Sequence, residues 1–169
     1  MAQSVAGGSM PLLCLMRHGP AEADGDDPSL TLEGEAVVQD VAVVLAGLGL
    51  SFDAVWSSPL ARARHTAAIV ADVLGGPRAV EPIEELMPGH PVSALADRAA
   101  RTGVRGSVLA VGHQPDMGRM AREAIRSALP LPFHRGTVAA IEVPDWESLA
   151  SGRAGWLAFH LPPDLRPGR

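Results

Sequence analysis

Lysine, asparagine and tyrosine are absent from this 169-residue chain, and cysteine occurs once. A lone Cys14 forms no internal disulfide, and its place inside an apolar run makes it a buried, inert thiol rather than a redox group. All 14 cationic side chains are therefore arginines, set against 19 carboxylates, and the net charge of -5 argues against a surface that coats nucleic acid. So skewed a composition makes any single arginine less informative than usual. No apolar run is long enough to span a bilayer; the most apolar long window, residues 36–50, holds Gln39, Asp40 and two glycines. Residues 1–9 lack the basic start and apolar centre of a secretory signal. These absences point to a soluble, cytoplasmic protein with a disordered or cloning-derived N-terminus over residues 1–10.

What is present suits a single domain over residues 11–161, 47% of the chain being hydrophobic and 20% charged, with a proline-rich tail over 162–169. Its organising stretch is Leu12-Leu13-Cys14-Leu15-Met16-Arg17-His18-Gly19. Five apolar residues without alternation suit a strand covered on both faces, as in the centre of a parallel sheet, and ligands of such sheets bind at strand carboxyl ends. Residues 107–111 form a second such run and end in Gly112-His113.

Between and beyond them the pattern alternates. Glu22, Asp24, Asp26 and Asp27 mark an exposed acidic loop whose position relative to any site stays open. Thr31 caps a helix with Val37, Val38, Val41, Val44, Leu45 and Leu48 on one face. A short strand over 53–57 precedes Ser58-Pro59, read as the cap and first position of a second helix with Arg62 in its first turn. A short strand over 79–81 leads to a third helix, burying Val92, Leu95, Ala96 and Ala99. A fourth helix starts near Pro115 and buries Met117, Met120, Ala121, Ala124, Ile125 and Ala128, with Arg119, Arg122 and Arg126 facing solvent. Residues 137–143 and 156–160 read as a closing β-hairpin. The alternation predicts an α/β fold of three layers, α/β/α, with a mostly parallel central sheet flanked by helices.

Two strands thus end in histidine, one of them preceded by arginine, and a helix N-terminus presents Arg62. If the fold gathers them, Arg17, Arg62, His18 and His113 form a site for a dianionic phosphoryl group, because guanidinium matches phosphate oxygens in bidentate fashion. A neutral imidazole with one nitrogen bonded to a backbone carbonyl and the other aimed inward is a nucleophile, a role assigned to His18. The histidines are not at metal-motif spacing, so neither a metal nor an organic cofactor is expected.

Taken together, Arg17-His18-Gly19, Leu30-Thr31-Leu32-Glu33-Gly34, residues 57–67 (SSPLARARHTA) and Val111-Gly112-His113 resemble the histidine phosphatase, or phosphoglycerate mutase-like, superfamily over roughly residues 12–161. The resemblance implies that His18 takes the phosphoryl group while Arg17, Arg62 and His113 bind its oxygens. In mutase-like members a glutamate donates the leaving-group proton, and Glu85 in residues 83–89 (IEELMPG) stands at the matching place. The short SixA-like phosphohistidine phosphatases, which the chain also resembles, often lack that acid. His65, His90, His134 and His160 have no motif support, Arg64 is read as structural, and His134-Arg135 is expected to stay outside the site.

The interval between Thr66 and Val111 leaves little material for a lid. The leading expectation is a SixA-like phosphatase whose partner is a phosphohistidine-bearing protein. The alternative is a small phosphate ester as substrate, with Glu85 as general acid. A silent phosphate-binding module is a third reading, and neither nucleic acid nor membrane is an expected partner.

Overall fold

The computed structural model describes residues 10–75 and 79–164. The expectations for residues 1–9 and 165–169 lie outside the described residues. Strand β1 (Leu12–Arg17) is the second of two central strands in a six-stranded sheet ordered β3-β2-β4-β1-β5-β6. Here β2 is Ala54–Ser57, β3 Val80–Pro82, β4 Val108–Gly112, β5 Val138–Glu142 and β6 Trp156–Leu161. Strands β3, β2, β4 and β1 are mutually parallel, whereas β5 runs antiparallel to both β1 and β6.

The unalternating apolar run of β1 is explained by two separate cores. Leu13 and Leu15 point into one, with Trp56, Leu86, Leu95, Met117, Met120 and Trp146. Cys14 and Met16 point into the other, with Val38, Val41, Leu45, Val70 and Val111. Helices α1 (Leu32–Gly47) and α2 (Ala61–Val73) cover the second face; α3 (Val92–Thr102), α4 (Asp116–Ile125) and α5 (Trp146–Ala150) cover the first. Burial on both sides removes the need for alternating polarity. The three-layer α/β/α architecture is the one expected.

Several local readings need correction. Helix α2 begins at Ala61, two residues later than expected: the buried Ser58 hydroxyl meets His113 and accepts the Leu60 amide at 3.3 Å, ahead of the helix, and Asp27 from the acidic loop takes the Ala61 amide at 2.8 Å. Helix α4 stops at Ile125, where Arg126 turns left-handed and the Ser127 and Arg126 amides close onto the Arg122 and Glu123 carbonyls. Ala128 lies beyond it, exposed. Of the three arginines expected to be solvated, Arg119 is instead tied to Asp116, Glu123 and the His90 carbonyl. The final hairpin contains α5, capped by Asp145 on the Ser148 amide at 2.6 Å, too short to announce itself by periodicity.

The connections of two neighbouring strands set the site. After β1 the chain passes to α1 on one face; after β4 it passes to α4 on the other. That divergence opens a crevice at the carboxyl ends of β1 and β4, the switch point where α/β sheets bind ligands. No helix among the described residues is long and apolar enough to cross a membrane.

Candidate active site

Arg17 pairs with Gly112 in the parallel register of β1 and β4, so the residues that follow, His18 and His113, emerge side by side. Their rings lie 5.2 Å apart, centroid to centroid, tilted by 56°. Both are 7% exposed. Together with Arg17, Arg62, Gln114 and Arg135 they line an open cleft of about 440 Å³. Four residues expected to converge do so.

His18 is oriented by its own chain. Its Nδ1 lies 2.7 Å from the Gly19 carbonyl, which can only accept, so Nδ1 carries the proton and Nε2 keeps its lone pair. Burial, countered by that hydrogen bond and reinforced by His113, Arg62 and Arg17, lowers its pKa to about 4. The imidazole is neutral at pH 7. His113 is likewise held at about 4 by burial and by Arg62, with Asp116 acting in the opposite sense. Its Nε2 meets the Ser58 hydroxyl at 2.8 Å, and its Nδ1 is buried with no partner among the described residues.

Two hydroxyls connect these groups, Thr66, to which the sequence assigned no role, and Ser58, expected only as a helix cap. Thr66, fully buried on α2, accepts the Gly19 amide at 3.1 Å and donates to the Arg62 carbonyl at 2.8 Å, linking the loop after His18 to the helix that carries Arg62. Ser58 holds His113 and accepts the Leu60 amide at 3.3 Å. Both lie inside the 57–67 motif.

Close approach explains two motif glycines. A Cβ on Gly19 would stand 2.6 Å from Val38 Cγ2, and one on Gly34 would stand 1.9 Å from the Pro20 carbonyl oxygen. The first turn of α1 therefore abuts the loop that follows His18.

Glu85, expected as a candidate general acid, is not among the residues that line the cleft. Its carboxylate receives Arg98 at 3.1 and 3.4 Å and lies 3.6 Å from Arg101; Arg98 also pairs with Glu81 and stacks over Trp56. The acid is committed to a structural ion-pair cluster on α3. Arg135 is a correction of the opposite kind: expected outside, it lines the cleft, whereas its neighbour His134 does not. The acidic loop also reaches the site. An antiparallel bridge between Ala21 and Leu30 closes it, and Ala21, Glu22, Ala23 and Pro28 form part of the cleft wall. Glu22 is the one carboxylate in that lining. No cluster of three or more His, Cys, Asp or Glu able to hold a metal occurs among the described residues.

Fold and cleft thus define an α/β protein with arginines and neutral histidines gathered at a sheet switch point, and comparison with known proteins gives it a family. The model of the histidine phosphatase superfamily (branch 1) matches residues 13–88. An uncharacterised protein of Picosynechococcus sp. (strain PCC 7002) is 39% identical over 121 residues, covering 67% of this chain and 72% of the relative. A 2,3-bisphosphoglycerate-dependent phosphoglycerate mutase of Bradyrhizobium sp. (strain ORS 278) is 40% identical over 73 residues, 39% of this chain, and the match spans only 35% of the mutase's length. The structure of the protein histidine phosphatase SixA complexed with tungstate aligns with a TM-score of 0.78 and 29% identity, over 90% of this chain and 97% of that one. The chain belongs to the histidine phosphatase superfamily. Within it, the protein is a phosphatase.

Proposed function

We propose that the protein removes phosphoryl groups from phosphohistidine on another protein, through a phosphohistidine intermediate on its own His18. In this reading Arg17, Arg62 and His113 hold the three non-bridging oxygens, and His18 Nε2 attacks phosphorus in line with the leaving nitrogen. The P–N bond to the substrate breaks, and a substrate imidazole protonated on its other ring nitrogen leaves as a neutral molecule. Water then displaces His18, releasing inorganic phosphate and restoring the neutral ring. Phosphoryl transfer depends chiefly on positioning and charge stabilisation, which these side chains supply.

The observation that carries the substrate class is the engagement of Glu85 with Arg98 and Arg101. An ester needs a proton on its departing alkoxide, whereas a protonated phosphohistidine does not. The match to SixA over 97% of its length supports the same class. A small phosphomonoester remains the second reading, and it is Glu22 in the cleft wall that favours it.

The test is phosphate release from a phosphohistidine-bearing protein and from a panel of small phosphomonoesters, using wild type, His18→Ala and Glu22→Gln. Faster turnover of the phosphoprotein, lost in His18→Ala and unchanged in Glu22→Gln, is expected. Preference for an ester, lowered about a hundredfold or more by Glu22→Gln, would transfer the protein to the ester phosphatases.

A further inference from the structure

We infer that Arg135 is a specificity-determining residue, binding a second anionic group of the substrate beside the phosphoryl group that is transferred. This rests on the cleft being the phosphoryl site proposed above.

The turn that presents Arg135 is pinned on both sides. The Phe133 carbonyl accepts Arg17 Nη1 at 2.9 Å, and Phe133 itself is buried against the edge of the His160 ring. Gly136 donates its amide to the Arg17 and His18 carbonyls, each at 3.1 Å, and the Arg17 amide returns to the Thr137 carbonyl at 3.0 Å. The Thr137 amide closes the turn onto the His134 carbonyl at 2.9 Å, with Gly136 at φ +92. Arg135 therefore occupies the second position of a tight turn whose third position needs the glycine. The backbone that aims the nucleophile also aims this guanidinium.

Arg135 is exposed at the cleft and has no carboxylate or carbonyl partner among the described residues. It stands close enough to Arg17 for the two charges to repel, adding to the effect of burial in lowering the Arg17 pKa. An exposed arginine in a chain with excess carboxylates can ordinarily relieve such repulsion by pairing; here both cations face one cavity and await an anion. Arg17, Arg62 and His113 already supply donors for the phosphoryl oxygens. An outer cation on a rigid turn is left for a further negative group, and on a protein substrate that group is an aspartate or glutamate neighbouring the phosphohistidine. Glu22, on the 20–29 loop, gives the same rim a negative point, so the cleft mouth also carries a charge that rejects anions placed on its side.

The experiment compares two phosphohistidine peptides that differ only in an aspartate or an asparagine near the phosphorylated residue, with wild type, Arg135→Ala and Arg135→Glu. Wild type is expected to favour the aspartate peptide about two- to fivefold in kcat/KM, through KM, the range for one exposed charge pair. Arg135→Ala should level the two peptides, and Arg135→Glu should reverse the order, the difference between the peptides falling on KM. Equal loss of kcat on both peptides in Arg135→Ala would overturn the inference and put Arg135 on the transferred phosphoryl group; an unaltered preference, or none in wild type, would overturn it as well. If neither peptide is hydrolysed, the phosphohistidine reading fails by itself. The comparison is then made with 3-phosphoglycerate and glycerol 3-phosphate, which differ by a carboxylate, as dissociation constants on His18→Ala and His18→Ala/Arg135→Ala. The same levelling is expected there, and its absence refutes the role of Arg135.

Discussion

His18 has the features of a nucleophile without any base beside it. Its proton is parked on Nδ1 by the Gly19 carbonyl at 2.7 Å, and burial keeps the ring from taking a second one. The free enzyme should thus keep His18 neutral far below the ordinary histidine range: NMR titration of the His18 Cε1 proton is expected to show a midpoint near 4, and a midpoint above 6 would remove this account. Glu85 makes the complementary case. Glu85→Gln should leave kcat on phosphohistidine within about twofold, because the carboxylate is bound to Arg98 and not to the cleft, yet cost about 1–2 kcal/mol of stability in urea denaturation by leaving the Arg98 cluster short of charge. A large fall in kcat with unchanged stability would restore it as the acid.

At the level of elements, the contact between α1 and the loop after β1 is the tightest feature of the site. Gly34→Ala puts a methyl group 1.9 Å from the Pro20 carbonyl oxygen, and backbone cannot move aside as a flexible side chain can. We expect a loss of about 2–3 kcal/mol by denaturant unfolding, accompanied by lower activity because the Pro20 loop follows His18 directly. Gly47 on the same helix has open space around its Cβ position and an ordinary backbone, so Gly47→Ala should be neutral or stabilising by up to about 1 kcal/mol. Equal effects of the two substitutions would show that helix propensity, rather than close approach, governs Gly34.

For the whole molecule, the two buried histidines tie stability to pH. Each has an ordinary pKa of 6.5 when unfolded and about 4 when folded. Above pH 6.5 both states hold the rings neutral and the full stability is present; as pH falls from 6.5 towards 4, the unfolded chain takes up protons first and stability declines. Urea unfolding at pH 7.5 and pH 5 should show that decline, and His18→Ala/His113→Ala should flatten it. A slope unchanged in the double variant would mean that other groups control acid unfolding.

Much of this was readable from the residues alone, for definite reasons. Apolar runs ending in Arg17-His18-Gly19 and Gly112-His113 announce buried parallel strands with polar tips, since burial on two faces leaves no alternation, and the order of strands and helices then dictates the layers. Thr31 and Arg62 are local signals, a cap and a first-turn charge, and local geometry honoured both. Chain order alone could not tell which side chains face the cleft. Glu85 matched a spacing, but the packing of α3 brought Arg98 and Arg101 to its carboxylate. Arg135 matched nothing, and it enters the cleft because the Gly136 amide donates to the Arg17 and His18 carbonyls and the Phe133 carbonyl accepts from Arg17, which folds its turn over the strand end. Ser58, Thr66 and the 20–29 loop became part of the site in the same way, through contacts 30 to 60 residues apart. Residue type and local pattern determined the elements and the candidate nucleophile; long-range packing decided which charges face the cleft, because the sign and partner of a side chain's interactions depend on what the fold sets against it.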